Sequence, residues 1–269
     1  MKYHIVLFLI SFSFIVTGCN EKKSIESDLK TEKMLNSENF NSLRGKSVYF
    51  GHRSVGSNII GGMEAIISRN KDLSFVKIIT PEEYLLKGNR GDDSTFYFVH
   101  SGIGKNGFPD SKIADFTGKL DTLKHIDAAF LKFCYVDINR NTDVNLLHST
   151  YTKNIQSLEE KYDSTRFIYF TSPLTTKRSF HIRFIKAVIG KPDDNNNRNK
   201  FNKLLRENGN IRIFDIAHHE SHLDGELKEL NREFLLEQYS SDGRHLNEAG
   251  SEKMAIKLLI YLNNLFKEN

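Results

Sequence analysis

Asp242 and His245 stand three residues apart in Ser241-Asp242-Gly243-Arg244-His245-Leu246-Asn247. At that separation, in a turn or a first helical turn, a carboxylate reaches an imidazole nitrogen. It then fixes the ring's tautomer and stabilises the imidazolium, so the other nitrogen can take a proton from a hydroxyl. The alternative is a capping aspartate beside an incidental surface histidine. A hydroxyl for such a base stands far upstream, Ser54 in Gly51-His52-Arg53-Ser54-Val55-Gly56-Ser57-Asn58, a glycine-bracketed turn that leads into an apolar helix. A helix start leaves backbone N–H groups unpaired. Ser54 is either a nucleophile beside those donors or, like Ser57, a helix N-cap. A third segment, His100-Ser101-Gly102-Ile103-Gly104-Lys105-Asn106-Gly107 ahead of Pro109, combines glycines with an amide side chain. Such a loop offers N–H donors to an oxyanion, or is an ordinary connection. His52, Arg53 and His100 flank these turns as candidate substrate contacts or charge stabilisers.

Short apolar, β-branched or aromatic runs at Ser47–Phe50, Phe75–Ile79, Ala128–Phe133, Phe167–Phe170 and Ile211–Ile216 predict five strands. Helical spacing of apolar residues predicts helices over Ile59–Ile67, Ile113–Leu123, Val144–Tyr162, Phe201–Leu205 and Met254–Leu265. Thr95–Val99 fits an extra strand or an extended approach to the loop that follows. Strands apolar on both faces, alternating with helices, call for a parallel sheet covered on both sides. The expectation is a three-layer α/β/α, doubly wound domain with a mainly parallel, five-stranded sheet. Ligands of such sheets bind beyond the carboxyl ends of the strands, which is where Ser54 falls.

With 39% hydrophobic and 27% charged residues, the chain has the composition of one globular domain. A net charge of +4, dispersed along the sequence, argues against a nucleic-acid partner. Two cysteines cannot build a disulfide scaffold. One of them, Cys19, ends Val16-Thr17-Gly18-Cys19 after Lys2 and an apolar run from Ile5 to Val16. This resembles the lipobox of a bacterial lipoprotein signal, and the run is shorter than the roughly 20 residues that span a bilayer. The resemblance implies cleavage of 1–18, lipidation of Cys19 and a bilayer partner at the cell envelope. Residues 19–41 then read as lipidated cysteine plus polar spacer, and 42–269 as the domain. Cys134, inside an apolar run, reads as buried and inert. His218-His219-Glu220-Ser221-His222 spaces two histidines at i,i+4 but is not the zincin arrangement, so no metal is expected.

A serine after the first strand, a glycine loop in the middle and Asp-x-x-His before the last helix together resemble the SGNH/GDSL hydrolase family over roughly residues 46–266. The resemblance implies a flavodoxin-like sandwich with Ser54 as nucleophile, His245 as general base and Asp242 as its orienter. It further implies an oxyanion site made by Ser54, Gly104 and Asn106, and no cofactor. The sequence departs from the family in two places. Gly-Asp-Ser is here Gly51-His52-Arg53-Ser54, and where the family often shows Gly-x-Asn-Asp this chain has Cys134-Tyr135-Val136-Asp137. Asn106 or Tyr135 would replace the lost asparagine, with Asp137 holding a loop backbone. Thr171-Ser172-Pro173-Leu174 resembles the loop that borders the family's cleft. The expected function is a membrane-tethered serine esterase acting on a small acyl ester, acetyl above all, or on an acylated glycan. Two alternatives stand beside it: an envelope O-acyltransferase with the same triad, and a non-catalytic lipoprotein that uses the fold to bind a glycan or partner.

Overall fold

Val48 and Phe50 face one side of the first strand and Tyr49 the other, and all three are buried. The same two-faced alternation recurs in Phe96/Phe98 against Tyr97/Val99, Ala128/Phe130 against Ala129/Leu131, and Ile168/Phe170 against Phe167/Tyr169. A strand apolar on both faces is stable only between two covering layers. The computed structural model, which describes residues 37–87, 94–123, 125–178, 193–223 and 232–268, has that form.

The order is β1 (Ser47–His52), α1 (Val55–Arg69), β2 (Val76–Ile79), α2 (Pro81–Leu86), β3 (Phe96–Gly102), α3 (Pro109–Thr122) and β4 (Ala128–Leu131). There follow α4 (Val144–Lys161), β5 (Arg166–Phe170), α5 (Asn195–Arg206), β6 (Ile213–Phe214), α6 (Ile216–Ser221) and α7 (Glu248–Leu265). The strands form one parallel sheet in the order β2-β3-β1-β4-β5-β6. Side chains of α1, α6 and α7 cover one face, and those of α3, α4 and α5 the other. Under α1 and α7 a row of phenylalanines crosses the sheet, with Phe50–Phe130, Phe130–Phe170 and Phe170–Phe214 centroids 5.1, 5.0 and 4.9 Å apart. Their offset and tilted contacts add to area burial.

The five-stranded expectation is corrected to six. Thr95–Val99, left open between strand and loop, begins β3, which pairs with both β1 and β2 inside the sheet. A run apolar on both faces has no periodicity to separate it from other buried segments, and its partners settle its state. The domain also starts before residue 42. Ser37–Leu43 forms a 3-10 turn whose Phe40 and Leu43 are buried in the core against α7. Residues 1–18, Cys19 and the spacer as far as residue 36 lie outside the described residues.

From β1 the chain builds first toward β3 and β2, then toward β4, β5 and β6. The reversal therefore falls at the exit of β1, where a crevice opens in such sheets. α1 and α7 pack face to face there: a Cβ on Gly62 would lie 2.4 Å from the Ser251 backbone, so only glycine permits the approach.

Candidate active site

Ser54 occupies the single turn between β1 and α1, and its backbone has φ 54° and ψ −113°. That region costs a residue with a Cβ about 1–3 kcal/mol, a strain that persists only where the surroundings impose it. Two features impose it. Gly56 lies so close beneath His52 that a Cβ there would approach the His52 Cβ to 2.4 Å, and Arg53 is tied by Nε to Ile103 O (3.1 Å) and by Nη2 to Gly104 O (2.9 Å). The serine stands at the N-cap position but makes no side-chain cap hydrogen bond. The N-cap reading of Ser54 is therefore not met. Neither its hydroxyl nor its N–H has a hydrogen-bond partner among the described residues. A strained serine on a strand–turn–helix corner, with its hydroxyl uncommitted, has the form of a nucleophile elbow.

The late loop is wired internally. Asp242 Oδ2 meets His245 Nδ1 at 2.7 Å, while Oδ1 accepts the N–H groups of His245 (2.7 Å) and Arg244 (2.8 Å). The His245 side chain first, then its N–H, holds the Asp242 carboxyl well below the usual carboxylate range, so it is an anion at neutral pH. Nδ1 therefore carries the proton it donates to Asp242, and Nε2 is left as an acceptor with no partner among the described residues. The loop is pinned at several points. Ser240 Oγ donates to His245 O (2.6 Å), the Thr176 N–H to Gly243 O (3.0 Å), and Asn247 caps α7 by accepting from the Gly250 N–H (2.9 Å).

Contacts across the exits of β1 and β4 bring the two halves to one edge. Cys134, three residues beyond the end of β4 and fully buried, donates its thiol to Arg53 O at 3.3 Å. The next residue, Tyr135, lies edge-on to the His245 ring with centroids 5.6 Å apart. Arg198 of α5, itself buried, donates Nε to Tyr135 O at 2.7 Å and so anchors that wall. Ser54 and His245 thus flank Arg53, Cys134 and Tyr135 without a direct hydrogen bond between them. Arg198 was invisible in the sequence, being one more cation in an asparagine-rich helix. Tyr135 was a candidate for the lost asparagine donor, and its place against the His245 ring was not foreseen.

The proposed oxyanion residues separate. The Gly104 N–H is spent on Asp115 Oδ2 at 2.8 Å, which removes it as a donor to substrate; its φ of +49° serves the turn instead. Asn106 accepts from Lys112 Nζ at 3.0 Å through Oδ1, and its Nδ2 has no hydrogen-bond partner among the described residues. Asp137 is the buried hub of the loops, accepting from Lys112 Nζ (2.5 Å), the Cys134 N–H (2.6 Å) and the Gly107 N–H (2.7 Å). This is the backbone-holding role expected of it. His218, His222 and Glu233 bring possible ligand atoms within 4.8 Å of one another. Two of them have other contacts as well: His222 Nδ1 meets Ser221 Oγ at 2.9 Å, and Glu233 accepts from Arg206 at 2.8 Å.

No protein-family model and no curated protein sequence matches the chain. Solved structures do resemble it. A candidate acylhydrolase of Bacteroides fragilis, 14% identical, aligns over 82% of this chain and 88% of its own with a TM-score of 0.51. A carbohydrate acetylesterase of Sinorhizobium meliloti is 9% identical, with 82% and 99% covered and a TM-score of 0.49. A GDSL-like lipase of Bacteroides thetaiotaomicron is 12% identical, with 83% and 88% covered and a TM-score of 0.46. The first likeness shows that this chain has the SGNH-hydrolase type of fold.

Proposed function

We propose that the chain is a serine acyl hydrolase of the SGNH type, in which Ser54 attacks an ester carbonyl. The carrying observation is Ser54 itself, held at positive φ on the β1–α1 corner with no capping bond, on the same edge as an Asp242-oriented His245. His245 Nε2 takes the Ser54 proton as the Oγ–carbon bond forms, and Asp242 steadies the resulting imidazolium. The N–H of Ser54 and the Nδ2 of Asn106 receive the oxyanion, in place of the committed Gly104. The imidazolium then returns its proton to the leaving alcohol, and water releases the acyl group by the reverse steps. Ser54 and His245 close to hydrogen-bond distance when substrate enters, as catalytic contacts commonly do.

The substrate is a small acyl ester, an acetyl ester above all, carried on a glycan or related envelope molecule. Val16-Thr17-Gly18-Cys19 supports a lipidated Cys19 that tethers the domain to a membrane at the cell envelope. Replacing Cys19 by alanine is expected to move the protein from the membrane to the soluble fraction; unchanged fractionation would refute the anchor.

A serine-directed phosphonate, mapped by mass spectrometry, tests the nucleophile. Modification of Ser54, blocked in His245→Ala, is the expected result. One observation favours the non-catalytic alternative, the loss of the Gly104 donor to Asp115. Absence of labelling together with no turnover of p-nitrophenyl acetate would overturn the hydrolase reading and make the binding alternative the leading one.

A further inference from the structure

The proposed mechanism gives no role to the side chains that face α2 from the exits of β1 and β3. There a cleft of about 330 Å³ opens between the exits of β1 and β3 and the start of α2, walled by His52, Arg53, Ser57, Thr80, Glu82 and His100. It adjoins the nucleophile, since Arg53 precedes Ser54 and Ser57 follows it by one helical turn. Its volume suits a small ligand. Its walls combine short hydroxyls, two imidazoles, Pro81 and one group of each charge, Arg53 and Glu82, so hydrogen-bonding groups stand among apolar atoms.

Two histidines set its chemistry. His52 Nε2 and His100 Nδ1 are 3.0 Å apart, with their rings stacked at 5.3 Å. His52 is 5% exposed, and its Nδ1 is buried against Gly56 with no hydrogen-bond partner. Burial, then His100, pushes His52 down to about 3, and burial also lowers His100, so both rings are neutral near pH 7. One proton lies between them. Were it on His100 Nδ1, the His52 proton would sit on Nδ1 as a buried N–H without an acceptor, which is the costlier kind of orphan. The proton therefore belongs to His52 Nε2, and His100 keeps its own on Nε2, the remaining polar atom of a ring that walls the cleft.

We infer that this cleft holds the alcohol portion of the ester, that it selects a neutral, hydroxyl-rich group such as a sugar ring, and that His100 donates to that group through Nε2–H. His52 is a positioning residue that fixes the His100 tautomer. The inference rests on the Ser54 reading for the orientation of the ester, but the binding chemistry of the cleft is separable from it.

The full chain, labelled with ¹⁵N-histidine, provides the test. Two-bond ¹H–¹⁵N spectra at pH 7 are expected to show His100 protonated on Nε2; a proton on Nδ1 would overturn the tautomer argument. Titration with methyl β-D-glucoside is expected to shift the His100 Nε2 resonance, and sodium octanoate is not. No response to the glucoside, or a response to octanoate instead, would overturn the assignment of the cleft. These readouts need neither turnover nor a variant, so an inactive protein would sink the Ser54 reading alone. In an active protein, His100→Gln should lower the kcat/KM for an acetylated methyl glucoside, relative to that for p-nitrophenyl acetate, about five- to tenfold, the worth of one hydrogen bond. The loss should fall on KM. His52→Gln should reproduce it in part and release the His100 tautomer. Equal loss on both esters would reject a specificity role.

Discussion

The loop from Gly102 to Phe108 and the loop from Ser240 to Asn247 are alike on paper. Each mixes glycine with polar side chains ahead of a helix, and each suggests a share in acyl chemistry. Their polar groups have opposite fates. In the late loop Asp242 absorbs two backbone N–H groups and one ring nitrogen, and the last ring nitrogen of His245 remains uncommitted. In the middle loop Asp115 takes the Gly104 N–H and Lys112 takes the Asn106 carbonyl, so of these groups the Asn106 Nδ2 alone has no partner among the described residues. Residue type says what a group is able to donate or accept. Which neighbour claims it is decided by how the next element, here α3, packs back against the loop.

The comparison breaks first at the nucleophile and its base. Ser54→Ala and His245→Ala should each reduce kcat for p-nitrophenyl acetate on the order of 10⁵-fold, and the double variant should be no worse, because members of one triad act as a unit. Additive losses would show that the two do not share a step. Asp242→Asn should cost about 10³–10⁴-fold, since the amide leaves the wrong tautomer at His245. Circular dichroism would confirm that the loop variant stays folded.

The middle loop sharpens the contrast. Asn106→Ala is expected to lower kcat about 10²–10³-fold with little change in KM, the loss of one oxyanion donor. Gly104→Ala should act instead on stability. Its φ is +49° and the new Cβ would meet the Lys112 N at 2.5 Å, so urea unfolding should show a loss of about 1–3 kcal/mol. The last prediction concerns pH dependence. Burial pushes His52 down to about 3 and His219 to about 4, below the ordinary 6.5. The unfolded chain binds these protons first, so stability is full above pH 6.5 and is lost as pH falls toward the folded values. The limiting slope is about 1.4 kcal/mol per pH unit for each histidine. Urea midpoints should fall between pH 6.5 and pH 4.5, and His52→Gln should flatten that fall.

Much of the architecture was legible because it is written in local pattern. Runs such as Val48–Phe50 and Phe167–Phe170, apolar on both faces, demand a covered parallel sheet, and α1, α4 and α7 bury residues at helical spacing. The Asp242–His245 contact was legible for the same reason: three residues of chain suffice to close it. Where pattern failed, the missing information was a partner. β3 was undecidable until β1 and β2 flanked it, and Phe40 read as spacer until its ring was found packed in the core beneath α7.

Sequence by itself thus determined the fold class, the serine at a strand exit and the self-contained acid–imidazole pair, since each depends on neighbours within a few residues. Tertiary structure decided that Ser54 is strained and uncapped, that Gly104 is spent on Asp115, and that His52 and His100 meet across β1 and β3. Hydrogen bonds and burial are settled by whichever group arrives within about 3 Å. Only the folded chain sets those arrivals.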